Sequence, residues 1–104
     1  VEHIVVFVTA PDEQVAADIA RTLVEERFAG CVNIVRSVRS IYSWEGRIED
    51  DSEVLMIIKT KKEMFPRVEK RVKELHPYSV AEIISFPIIE GSKEYLDWLD
   101  TVTY

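Results

Sequence analysis

Few residues in this chain are equipped for chemistry: one thiol, Cys31, and two imidazoles, His3 and His76, stand among 104 residues. Two histidines do not support a Ser-His-Asp or Cys-His nucleophilic arrangement, and spacing singles out no carboxylate pair. A phosphate-cradling enzyme would need a Gly-rich anion loop with an Arg after the first strand. Here Thr9-Ala10-Pro11-Asp12 stands in that place, with an acidic residue of the wrong sign. The chain is therefore expected to be no enzyme. Cys31 follows Gly30 in an apolar context, where a free thiol behaves as a small buried hydrophobe. The run Glu49-Asp50-Asp51 offers too few oxygen ligands in a fixed arrangement for a hard cation, and reads as a solvated charge run beside a turn.

Charge narrows the partners. Thirteen basic against nineteen acidic residues give a net charge of −6, which repels nucleic acid and anionic membranes and makes cations the more natural small partners. An RNA-recognition domain would also show aromatics on its third strand, whereas Val54-Leu55-Met56-Ile57-Ile58 is aliphatic. A single cysteine forms no intrachain disulfide, and neither a charged-then-apolar leader nor a twenty-residue apolar run is present. The expected location is the cytoplasm. Asn33 and Gln14 are the only side-chain amides and charge is dense, a bias resembling that of thermophile proteins.

The elements that must position these residues follow from periodicity. Residues 1–104 form one domain. Ile4 to Val8 is a continuous apolar run, hence a buried strand, and Asp12 caps a helix with Ala16, Ile19, Ala20, Leu23 and Val24 on one face. Gly30 is expected to end that segment in the left-handed conformation. Cys31 to Thr60 reads as one long antiparallel hairpin turning near Glu45-Gly46, with Val32, Ile34, Val38 and Tyr42 on one parity. At about 3.3 Å per residue, an arm of thirteen residues spans roughly 43 Å. A domain of this size is only about 34 Å across, so the tip with Tyr42 and Trp44 should overhang its own core.

A second amphipathic helix carries Phe65, Val68, Val72 and Leu75, with Glu63/Arg67 and Glu69/Lys73 as exposed pairs. Thr60 and Glu63 resemble a capping box, but Pro66 places the start nearer Lys62 or Glu63. His76-Pro77 stops this helix, Ala81 to Ile88 forms a fourth strand, and Ser92 caps a last helix with Tyr95, Leu96, Trp98, Leu99 and Val102. The order βαββαβ plus a terminal helix is that of the α+β ferredoxin-like sandwich. Its two central strands are apolar on both parities, so the sheet face away from the connecting helices must be covered by the terminal helix, another subunit, or both.

Several unlinked motifs, Thr9-Ala10-Pro11-Asp12-Glu13, Ala29-Gly30-Cys31-Val32-Asn33, Ser40 to Gly46, Lys59-Thr60, His76-Pro77-Tyr78 with Glu82-Ile83, and Tyr95 to Leu99, together resemble the CutA family of divalent-cation tolerance proteins. The resemblance covers nearly the whole chain. It implies a ferredoxin-like fold, a homotrimer resembling the PII signalling proteins, and a non-catalytic role attached to copper and other divalent metals. The copper ligands proposed for some bacterial members, a first-strand Cys and two adjacent His, fall here on Val8 and on Leu75-His76. Only His76 survives as a metal ligand for Cu2+ or another divalent cation, and a single imidazole makes no specific copper site. Its ring could equally cap the preceding helix or bond a neighbouring backbone group. Tyr42, Trp44, Lys59, Tyr78, Glu82 and Trp98 occupy motif positions of the family and, with Cys31, are the candidates for an inter-subunit cleft or interface. A buried Lys59 near Glu82 would be an ion pair left where subunits meet, either as a registry device or as the polar part of a ligand site. The alternative function is a PII-like module binding a small metabolite in such clefts.

Overall fold

The computed structural model describes residues Val1–Tyr104. In chain order it contains β1 (His3–Ala10), α1 (Glu13–Glu25), β2 (Cys31–Trp44), β3 (Arg47–Lys61), α2 (Phe65–Leu75), β4 (Ile83–Pro87) and α3 (Lys93–Val102), with a 3-10 turn at Lys62–Met64. The four strands form one antiparallel sheet in the order β2-β3-β1-β4. This is the ferredoxin-like arrangement, with the apolar runs Ile4 to Val8 and Val54 to Ile58 on its two central strands. Helices α1 and α2 seal one face. Paired residues share a face, so Val6, Val8, Met56 and Ile58 meet Ala16, Ile19, Leu23, Val68 and Val72 in a fully buried core.

Local chemistry sets the boundaries. Asp12 caps α1 by accepting a hydrogen bond from the Val15 N–H at 2.9 Å. The left-handed residue beyond α1 is Arg27 (φ 63°), not Gly30 as expected. Arg27 is held there by the chain's end: its guanidinium donates to the Thr101 carbonyl at 3.2 Å, and its own carbonyl accepts from the Tyr104 N–H. Gly30 serves close approach instead, since a Cβ there would stand 2.6 Å from Leu99 Cδ2.

No capping box forms at Thr60, whose hydroxyl donates to the Phe28 carbonyl from within β3; Pro66 sits in the first turn of α2, where its missing N–H costs nothing. The Glu69–Lys73 pair forms at 3.2 Å, while Arg67 lies over the Phe28 and Tyr104 rings rather than pairing with Glu63. Ser92 precedes α3, but its hydroxyl donates to the Glu94 carboxylate and caps no backbone N–H. Strand β4 is shorter than expected, and Pro87 is its last residue, on a sheet edge where a missing donor is tolerated.

The hairpin gives the molecule its longest dimension, in extents of 44 × 25 × 22 Å. Its turn falls at Glu45 and Gly46, both with positive φ (50° and 78°), as a two-residue turn matched to strand twist requires. One expectation fails within it. A bulge between Val35 and Val38 inserts an extra residue into β2, so that Val35 pairs with Leu55 but Val38 with Glu53. Val32 and Ile34 therefore face α1 and α2, whereas Val38 and Tyr42 lie on the opposite face.

That opposite face is covered only at one end. There Leu99 of α3 is fully buried, and His3 meets Asp100 at 2.7 Å. The remaining rows, Asn33-Ile57-Phe7-Ile84 and Val35-Leu55-Thr9, are half-buried or exposed, with Phe86 edge-on to Phe7 at 5.1 Å.

Candidate functional site

Beyond the bulge, the face carrying Val38, Ser40, Tyr42 and Trp44 forms one wall of a cleft of about 590 Å³. The other wall is the loop between α2 and β4, from Tyr78 to Glu82, with Thr9 and Glu53 also lining the space. Tyr42, Trp44, Tyr78 and Glu82 thus come together. Lys59, Trp98 and Cys31 do not belong to this group. Cys31 and Lys59 pair across β2 and β3 in the row that contains Val5, while Glu82 lies beside Thr9, four residues further along β1 and about 13 Å away. Lys59 and Glu82 therefore do not meet within one subunit, where the Lys59 ammonium donates to the Asn33 side-chain carbonyl. Trp98 stands on the outer side of α3, 5.5 Å from the Tyr95 ring and 42% exposed.

His76 builds the loop. It is only 7% exposed, and both ring nitrogens are engaged: Nδ1 accepts from the Tyr78 N–H at 3.2 Å, which leaves Nε2 to donate to the Thr9 carbonyl at 2.7 Å. The Tyr78 ring packs 4.6 Å from the imidazole. A metal on either nitrogen would have to displace one of these bonds. Nowhere do three His, Cys, Asp or Glu side chains gather closely enough to hold an ion. The donor set of one chain therefore does not fit a preformed transition-metal centre.

The acidic strand beside the tip is more structured than a solvated run. Asp50 takes a two-pronged bond from Arg39 at 2.8 and 2.6 Å, and Asp51 accepts from the Tyr42 hydroxyl at 2.6 Å. That hydrogen bond, then burial and the charges of Asp51, Glu53 and Glu49, push the Tyr42 phenol up to about 12. Burial, then the hydrogen bond to Glu53 and its charge, drive the Tyr78 phenol upward as well. Both phenols are neutral donors at neutral pH. Glu53 was the residue that spacing missed. Its signal was present, because it shares the parity of Leu55 and Ile57 and so continues their row on the face of β3 away from α1 and α2, where the cleft lies.

Comparison with known proteins agrees with this architecture. The profile of the CutA1 divalent ion tolerance protein family matches residues 4–102. The divalent-cation tolerance protein CutA of Thermus thermophilus is 55% identical over 95 residues, which cover 91% of this chain and 92% of that protein. The human protein CutA is 50% identical over 97 residues, 93% of this chain but only 54% of the human protein. Among solved structures, that of the Thermus thermophilus protein superposes with a TM-score of 0.95 at 52% identity, covering 98% of this chain and 99% of that one. With a full-length family match and an identity above half, this chain belongs to the CutA1 divalent ion tolerance protein family.

Proposed function

We propose that this chain is a non-catalytic divalent-cation tolerance protein that works as a cytoplasmic homotrimer. The observation that carries this reading is the family match across residues 4–102. The metal chemistry would be exchange with copper or another divalent cation at low affinity, since His76 is occupied and no chelating cluster accompanies it. The half-exposed apolar face with Phe7, Leu55, Ile57 and Ile84 supports assembly, because monomers rarely leave a contiguous apolar sheet face to water. Sparse amides and dense charge favour a thermostable fold, with a melting midpoint above about 70 °C.

Two experiments test this. In a strain deleted for its own CutA protein and grown over graded copper chloride, expression of this chain should restore growth; unchanged sensitivity overturns the tolerance role. Light scattering across a wide dilution range should give three times 12.0 kDa throughout, and a folded species at one times that mass overturns the trimer. A second reading, a PII-like module that binds a small metabolite, is favoured by one observation, the cleft of about 590 Å³ between the hairpin and the Tyr78–Glu82 loop.

A further inference from the structure

The cleft contains a charge that the chain leaves uncompensated. Glu53 is only 6% exposed, lines the cleft, and is contacted by a single neutral donor, the Tyr78 hydroxyl on its Oε2 at 2.9 Å. Its Oε1 accepts no hydrogen bond within the chain and keeps contact with solvent. Burying a carboxylate without a cation is costly, so a site that keeps one is suited to receive positive charge. Glu82, on the opposite wall, also has neither a hydrogen-bond donor nor an ion-pair partner within the chain. The one guanidinium at the rim, Arg39, is committed to Asp50 through both of its bonds and does not neutralise them.

The walls add a second kind of recognition. Tyr42, Trp44 and Tyr78 line the same space, and the faces of aromatic rings attract cations. A bare divalent ion gains little from rings and needs several oxygen ligands at short range, which this cleft does not gather. An ammonium carried on a carbon body uses both, placing its charge at Glu53 and Glu82 and its body against the rings. An anionic metabolite would meet two carboxylates and is excluded by sign.

We infer that the cleft between the hairpin tip and the Tyr78–Glu82 loop binds an organic amine cation, with Glu53 and Glu82 as its counter-charges and Tyr42, Trp44 and Tyr78 as its walls. This rests on the second reading above, that the cleft is a small-molecule site, and supplies the chemical class of the ligand.

The test uses the whole chain, with spermidine as the cationic probe, 1,8-octanediol as a neutral probe and citrate as an anionic one, each read by calorimetry and by fluorescence of Trp44 in a Trp98→Phe background. Spermidine should bind and shift Trp44 emission. Glu82→Gln, on the exposed wall, should weaken binding roughly tenfold, the effect of removing one charge-assisted contact. Glu53→Gln keeps an oxygen for the Tyr78 hydroxyl and should weaken it comparably, and circular dichroism checks that the variant is folded. Trp44→Leu, 41% exposed within the subunit, should also lose affinity, with light scattering checking that its assembly is unchanged. If the diol or citrate binds as well as spermidine, the cleft is a ligand site but the cationic class is overturned. If no probe binds at 10-fold excess over about 1 mM protein, both the class and the cleft reading fall. Spermidine binding unchanged by Glu82→Gln and Trp44→Leu overturns the location.

Discussion

Below the bulge the hairpin is sealed on its helical face by Met56 and Ile58, both fully buried, whereas beyond it Ile41 and Ile48 stand 63% and 77% exposed. The base is part of the core. The tip is held by its own cross-strand bonds, Arg39 to Asp50 and Tyr42 to Asp51, and by one contact from outside, Tyr78 to Glu53. One pair of strands thus divides its work, with the base supplying stability and the tip presenting a surface. The bulge is where the division falls, because the extra residue rotates Val38, Tyr42 and Trp44 onto the face that α1 and α2 do not reach.

Substitutions can break that contrast, and the largest effect should come from the base. Ile58→Ala, at a position with no exposure, should cost about 2–5 kcal/mol through lost burial and the cavity left behind. The denaturant midpoint would report it, and a cost under about 1 kcal/mol would mean the base is not the anchor. Gly30→Ala comes next, at the joint where β2 begins under α3. Its Cβ would fall 2.6 Å from buried Leu99, and displacing that side chain should cost about 1–3 kcal/mol, read from the same midpoint. At the tip, Ile48→Thr should change the stability of an isolated subunit by less than about 0.5 kcal/mol. A larger loss, accompanied by a fall in the mass read by light scattering, would show a second chain covering the tip.

The smallest effect is a pH dependence confined to the tip. The Tyr42 phenol, raised from 10.0 to about 12 in the fold, is favoured in its neutral form, so its contribution is complete below pH 10 and fades as pH rises toward about 12. The stability advantage of the wild type over Tyr42→Phe should therefore be level up to pH 10 and shrink above it. A difference that grows with pH across this window would place the hydrogen bond to Asp51 elsewhere.

Much of this division was legible in the residues. Unbroken apolar runs marked β1 and the core half of β3, Glu45-Gly46 marked the turn, and Asp12 marked the start of α1. These are local signals. The bulge was not legible, because Arg36 and Ser37 carry no glycine or proline to announce it, and a single inserted residue inverts every later parity. The left-handed Arg27 depends on Thr101 and Tyr104, far away in sequence, so no local pattern could have moved that role from Gly30.

The site was legible in its members and not in its grouping. Tyr42, Trp44, Tyr78 and Glu82 were found as motif positions and do converge. Lys59 was grouped with them although the strand register carries it to the other end of the sheet. His76 drew attention as a ligand because of its type. Only the fold reveals that its two nitrogens tie the loop to Thr9 and Tyr78.

The position of β1 has a consequence for the order of folding. Each arm of the hairpin finds its partner across two turn residues, a closure on the microsecond scale for an isolated hairpin. Strand β1 lies between β3 and β4, pairing Ala10 with Val54 and Val8 with Ile83 at the near ends of its ladders, so its contacts close loops of more than forty and seventy residues. Such closures are slow. On the ribosome, β1 then waits for β3 to emerge before it can be seated, and β4 adds last, to the edge that β1 leaves free. Pulse-labelled hydrogen exchange during refolding should protect the amides of Leu55 and Ile57, which face β2, before those of Ile4 and Val6, which face β3, and the reverse order would mean that β1 docks before the hairpin has closed.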